Sequence, residues 1–225
     1  MNLYREVELG GGIKEKIRQE AQTEFDGEYS HAIARVELCY WRKFNALHKY
    51  FFDKFGNGEN DNCVNMYMEI SDIKELLERL LKLRDSIKLV YGLVNNGYTI
   101  RTWKPSETVE CVGGSKKASK LVDNDIIIEN DSKGWVSDIK KAKDGITAHI
   151  TYKQEGRVVA NPEICEELLP TEEGFFFGGT EYDEWYVQDI ENTISMLKKV
   201  IDQHNALVSK GYNDYDITYY YRAWY

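Results

Sequence analysis

The sequence predicts an α+β protein: three principal helices forming one layer, an inserted β-rich unit and a C-terminal strand. Three observations carry this reading. Apolar residues recur at steps of three and four in three separate stretches. From Tyr98 to about Ala160 they fall instead into short, often β-branched runs. The last residues, Tyr215 to Tyr225, alternate and are crowded with tyrosine, which suits a strand. The expected division is a helical part at 1–97, a β-rich insertion at 98–160, and a second helical part at 161–225 that completes the first.

In chain order, residues 1 to 30 are mixed. Gly10-Gly11-Gly12 reads as a break, and Lys14 to Gln22 as a short polar helix. A first long helix is expected from about Ala32 to Phe55, because Val36, Tyr40, Phe44, Leu47, Phe51 and Phe55 would share one face. The Gly- and Asn-rich turn after Phe55 ends it. An extended piece, Val64 to Ile70, leads to a second helix whose start, Asp72 followed by Glu75, resembles a capping box. Its stripe runs from Ile73 through Leu76, Leu77, Leu80, Leu83 and Ile87 to Leu89–Tyr91, and Asn95-Asn96-Gly97 closes it.

In the insertion, Ile146 to Tyr152 alternates, and Lys153-Gln154-Glu155-Gly156 reads as a hairpin turn into Arg157-Val158-Val159. Six lysines there (Lys116, Lys117, Lys120, Lys140, Lys141, Lys143) make it locally basic. Phe175-Phe176-Phe177 reads as a buried strand. The third helix follows Gly178-Gly179, with Thr180 and Asp183 as its cap and Tyr186, Ile190, Ile194, Leu197 and Ile201 as its stripe, persisting to about Val208.

At 225 residues the chain can bury a proper core. With 42% hydrophobic and 30% charged residues, its composition is that of a globular protein. No apolar run approaches the roughly 18 residues of a membrane span. Met1 to Glu6 has no basic region followed by an apolar stretch, so no signal peptide is expected. A net charge of −9 argues against duplex nucleic acid as a partner. Cys39, Cys63, Cys111 and Cys165 are widely spaced, which fits reduced thiols in a cytoplasmic protein that folds without metal or disulfides.

Two blocks stand out. In the first, Trp41, Asn45 and His48 share a helical stripe with Phe52, while Arg42 and Lys49 lie on a neighbouring, solvated face. In the second, Thr180, Glu181, Tyr182, Asp183, Trp185 and Tyr186 open a helix. As a recognition surface, Trp41 would stack on a flat ligand and Asn45 and His48 would hydrogen-bond to it. As packing, which is the commoner use of such aromatics, Trp41 and Phe52 are core and His48 pairs with a carbonyl or carboxylate. Glycines before a helix favour an anion, yet Glu181, Asp183 and Glu184 already complement the dipole and repel phosphate. A cation or a hydrogen-bond donor suits that end better. The expectation is that Trp41, His48, Tyr182 and Trp185 line one cleft, in which Trp41→Ala or Tyr182→Ala weakens ligand binding by about 1–3 kcal/mol.

Other motifs fail. No Lys-Ser/Thr follows Gly178-Gly179, so there is no P-loop. Asp53 to Asp61 resembles a calcium loop, but Phe55 and Val64 stand where carboxylates are needed. Neither a zinc spacing nor a catalytic triad signature appears, and no cofactor is expected.

Taken together, the segments Tyr40 to His48, Asp61-Asn62-Cys63 and Leu169-Pro170-Thr171 through Gly174 to Tyr186 resemble a family of uncharacterised bacteriophage and prophage proteins. That family carries a Tyr-Trp-Arg-Lys helix, an acidic turn ending in cysteine, and a Gly-Phe-Phe-Phe-Gly-x-Thr-Glu-Tyr-Asp-Glu-Trp-Tyr segment in the same order. Tyr219-Tyr220-Tyr221 also fits. The start of the chain and residues from about 98 to 160 depart from the family pattern. No activity comes with the resemblance. It implies a phage or prophage protein in the cytoplasm of a bacterial host: a non-catalytic, counter-defence binder of a nucleotide signal or of a host defence protein. The alternatives are a nucleotide-acting enzyme, with Glu181 or Asp183 as base and Arg42, Lys43 or His48 on phosphate, and an assembly protein that oligomerises through its tyrosine-rich tail.

Overall fold

The computed structural model describes residues 1–8, 33–56, 58, 63–173 and 179–224. They form an α+β architecture in two compact units, Met1–Ile87 with Asn161–Tyr225, and Lys88–Ala160. The second unit opens at Lys88, where the sequence reading opened it at Tyr98.

In the first unit, strands β1 (Asn2–Glu8), β2 (Ile33–Tyr40), β3 (Met66–Met68) and β10 (Ile217–Arg222) make an antiparallel sheet in the order β2-β1-β10-β3. The C-terminal strand is thus central, with Leu3 and Met66 flanking Tyr221 in register. Four helices accompany the sheet among the described residues: α1 (Asn45–Phe55), α2 (Ile70–Ser86), α3 (Pro162–Leu168) and α4 (Glu184–Ser209). Leu47, Phe51, Ile73, Leu76, Leu80, Ile190, Leu197, Tyr219 and Tyr221 are buried in its core.

The first expected helix is two elements. Ile33–Tyr40 is strand β2, and the helix begins only at Asn45. Val36 and Tyr40, four apart, share a helix stripe, whereas in the strand a bulge between them sends the two to opposite faces, Val36 opposite Arg5 and Tyr40 opposite Asn2. Pairing with β1 decides between helix and strand. Lys43, at φ 61, turns the chain out of the strand.

The second helix is capped one turn earlier than expected. The Glu69 amide donates to the Asp72 carboxylate at 2.9 Å, so Glu69 is the cap and Asp72 the third residue of the helix, closing the box. The helix ends at Ser86, and Leu89–Tyr91 belongs to a strand. The third keeps its expected stripe, but Asp183 alone caps it, accepting from the amides of Trp185 (2.9 Å) and Tyr186 (3.1 Å). The expected helix at Lys14–Gln22 and the strand at Phe175–Phe177 lie outside the described residues.

The second unit holds a four-stranded antiparallel sheet in the order β4-β9-β8-β7: β4 (Leu89–Trp103), β7 (Ile126–Glu129), β8 (Ser132–Lys141) and β9 (Ile146–Val159). The short pair β5 (Thr108–Val109) and β6 (Lys116–Lys117) adds a second, two-stranded sheet. No turn interrupts β9 at Lys153–Gly156. Gly156 lies opposite Gly92 in the ladder, and a Cβ on it would come within 2.6 Å of Val94 Cγ2. The glycine serves close approach across a long ribbon. Likewise Asn95-Asn96-Gly97 makes a bulge in β4, with Gly97 at φ 93. Three of the six lysines serve the unit's own structure: Lys116 pairs with Asp125 at 2.7 Å, Lys117 donates to Thr108 at 2.9 Å, and Lys141 to the Ser119 carbonyl at 3.0 Å.

Candidate functional site

The structure brings the two blocks together, as a joint whose polar groups are satisfied internally. Trp41 leaves the end of β2 only 4% exposed, and its indole N–H donates to Thr193 Oγ1 of α4 at 2.9 Å. The Asn45 amide donates to the Gly179 carbonyl at 2.6 Å. Phe44 meets Tyr186 edge-on with centroids 6.0 Å apart, and the Tyr186 hydroxyl donates to the Leu169 carbonyl at 2.7 Å. Tyr182 packs on Tyr186 and accepts from the Thr171 amide at 3.3 Å, while Thr171 donates to the Thr180 carbonyl at 2.9 Å. His48 is buried, its Nδ1 2.9 Å from the Tyr221 hydroxyl.

The candidate residues therefore divide by position. Trp41, Asn45, His48 and Tyr186 are interior, Thr180, Tyr182 and Asp183 are half-buried, and Arg42, Lys43, Glu181 and Trp185 are on the surface. Trp185 is 69% exposed, so it shares no wall with Trp41. The shared helical stripe of Trp41 and Asn45 does not form, because Trp41 precedes α1.

Two carboxylates of this joint titrate unusually. Burial raises the Asp183 carboxyl above its ordinary value, against its bonds to the Tyr186 and Trp185 amides. Burial also pushes Asp189 up to about 6, and the Asp183 charge adds to it. A raised carboxyl binds its proton more tightly in the folded state. Its stabilising contribution is whole below the ordinary carboxylate value and is lost as pH rises through about 6. Asp189→Asn should therefore stabilise the protein at neutral pH by about 1 kcal/mol once solvent screening is allowed for. The gain should shrink towards about pH 4, where both side chains are neutral. Urea midpoints across that range measure it, and a pH-independent difference would contradict this origin.

An open cleft of about 330 Å³ lies nearby on the same unit. Lys49, Tyr50, Asp53 and Lys54 of α1, Arg79 of α2 and the Glu167–Pro170 segment line it. Lys49 pairs with Asp53 at 2.9 Å, one turn away, and this bond holds its ammonium above the ordinary lysine value. Burial alone would lower Lys54, but its bonds to Glu75 (2.7 Å) and Asp72 (3.1 Å) raise it instead. The Arg79 guanidinium stands 5.3 Å from the Tyr50 ring centre and donates to the Leu168 carbonyl at 3.2 Å. Two cations against one aromatic ring, with Lys49 also on the lining, are suitable for a planar anion.

The sequence reading missed Tyr50, Lys54, Arg79 and Glu167 and had set Lys49 on a solvated face. The available signal was the pair of i,i+4 couples Lys49–Asp53 and Tyr50–Lys54 on one helix. Among the described residues no three His, Cys, Asp or Glu side chains are placed to hold a metal. The cysteines are not disulfide-bonded, and burial pushes Cys39 up to about 12 and Cys165 to about 11, which makes them unreactive. No protein-family profile matches the chain, and neither a curated protein nor a solved structure shows significant similarity to it.

Proposed function

We propose that this chain is a phage- or prophage-encoded, non-catalytic binding protein of the host cytoplasm, acting against host defence by taking up a nucleotide-like signal. The cleft around Tyr50 is the observation that supports it: an aromatic ring under Arg79 and Lys54, with Lys49 at the side. Origin and counter-defence role rest on the motif resemblance alone. Each cation already has an acidic or carbonyl partner, but the Lys49–Asp53 pair is partly solvated. Exchanging such a pair for a phosphate contact costs at most about 1 kcal/mol. No helix among the described residues is long and apolar enough to cross a membrane.

A nucleotide panel that includes cyclic forms tests the reading through the melting temperature. At about a hundred times its Kd, a ligand adds about 2.7 kcal/mol, or roughly 5–10 °C for a protein of this size. At least one nucleotide should give such a shift, and Lys49→Glu should abolish it without changing the ligand-free transition. A panel without any shift would overturn the reading. Turnover of the hit would move the protein to the enzyme class.

The exposed Trp185 favours a second reading, a host protein as the target. A large aromatic on the surface beside the charged Glu181 and Glu184 is the composition of an interface anchor. Under that reading Trp185→Ala abolishes capture of a host protein and leaves nucleotide shifts untouched.

A further inference from the structure

Among the described residues strand β2 is the outermost strand of its sheet, and helix α4 runs beside it in the opposite direction. Two bonds fix this arrangement. Trp41, just past the strand, is tied to Thr193, and Arg5, opposite Val36 in the ladder, donates to Gln203 at 3.3 Å. The rise from Thr193 to Gln203, about 15 Å in a helix, matches that from Val36 to Trp41, about 17 Å in a strand. Between the two ties lies a cleft of about 390 Å³. Leu38, Cys39 and Tyr40 line it on the strand, and Met196, Lys199 and Val200 on the helix.

Backbone geometry at the strand edge is set by its neighbour. Met1 and Trp41 exchange both main-chain bonds, at 2.8 and 3.3 Å. Pairs in an antiparallel ladder alternate, so the next pair, Asn2 and Tyr40, exchanges none. Tyr40 therefore turns its amide and carbonyl away from β1, to the side where the sheet ends. The register shift between Leu3 and Tyr4 leaves Leu38 as the extra residue of a bulge, and regular pairing resumes from Glu37 to Ile33.

The charge at the cleft is specific as well. Lys199 is exposed, forms no ion pair among the described residues, and stands near enough to Cys39 to act on its thiol. Glu37, which also acts on that thiol, lies opposite Tyr4 in the ladder, on the other face of the sheet from Cys39. In a chain of net charge −9, a cation without a carboxylate partner among the described residues, beside an apolar cleft, is a recognition element.

We propose that this groove binds a short extended peptide of a partner protein, added as a further strand beyond β2. Tyr40 exchanges main-chain bonds with it, an apolar side chain of the peptide rests on Met196 and Val200, and a peptide carboxylate meets Lys199. This is strand addition along a helix-flanked edge: backbone bonds supply affinity, while the pocket and the lysine supply selectivity. It concerns a surface other than the Tyr50 cleft and stands without it.

A library of random hexapeptides with amidated C-termini, panned against the full chain, provides the test. Enriched peptides should be rich in β-branched residues and carry a carboxylate in a constant position. A synthetic, fluorescein-labelled member should lose at least tenfold in affinity to Lys199→Glu. It should lose as much to Tyr40→Pro, which removes an outward amide that the ladder does not use. Should the proline variant fail to fold, N-methylation of alternate peptide amides on the unaltered protein gives the same readout. No enrichment, or affinity unchanged by Lys199→Glu and by loss of the outward main-chain bonds, overturns the proposal. So does a concentration-dependent dimer abolished by Tyr40→Pro in the absence of peptide binding, which would make a second copy the occupant.

Discussion

Trp41→Ala should lower the stability of its unit by about 3–5 kcal/mol, the usual cost of deleting a buried tryptophan. The side chain is enclosed, tilted against Phe51 at 6.5 Å, and joined to Thr193 across the β2–α4 boundary. Deletion leaves a cavity where strand, turn and helix meet. Thr193 still donates to the Asp189 carbonyl at 2.7 Å, so the loss is mainly packing. Trp41→Phe should cost less, about 1–2 kcal/mol, since most of the apolar volume stays. Both are read from urea unfolding midpoints. Because native stabilities are commonly 5–15 kcal/mol, the alanine variant would stand near the limit of folding. A ligand-stacking tryptophan behaves in the opposite way: its alanine variant keeps the unfolding midpoint and loses only binding. An unchanged midpoint would therefore return Trp41 to the binding surface.

What was legible in the sequence depended on length and on how ambiguous each spacing was. Helix α4 carries its stripe from Tyr186 to Val200 with a carboxylate at its start, and no strand maintains steps of three and four for so long. Ile33–Tyr40 is short, and its Val36–Tyr40 spacing matches a helix stripe although a bulge parts the two in the strand, so only the partner strand β1 decides it. Lys153–Gly156 has turn residues, but Gly156 is there for Val94 across the ladder, a long-range reason that local chemistry does not carry. The meeting of the two blocks was legible because each held polar groups in need of partners. Those partners turned out to be each other's main chain, as with Asn45 and Gly179, or buried side chains, as with His48 and Tyr221. The same satisfaction that joins the blocks removes Trp41 and His48 from the surface. The Tyr50 cleft needs Arg79 and Leu168 from elements distant in sequence, and no spacing along α1 announces them.

Tyr221→Ala should be of equal or greater effect, again about 3–5 kcal/mol. Tyr221 is 0% exposed in the central strand β10, between Leu3 and Met66, both buried. Its ring stacks on Phe51 of α1, with centroids 4.3 Å apart and planes 19° from parallel, and its hydroxyl meets His48 of the same helix. One side chain thus ties the middle of the sheet to the helix that follows the first block. Truncation to alanine removes the stack and opens a void that the strands on either side cannot close without losing register. Tyr221→Phe separates the two contributions. It keeps the ring and removes only the hydroxyl, so about 1 kcal/mol should be lost if packing dominates. A double-mutant cycle with His48→Ala then isolates the polar link, whose coupling should exceed 0.5 kcal/mol as for residues in contact, a figure on the order of one hydrogen bond. If Tyr221→Phe proved as damaging as Tyr221→Ala, the polar link to His48 would be what holds α1 on the sheet, and the stack on Phe51 would be secondary.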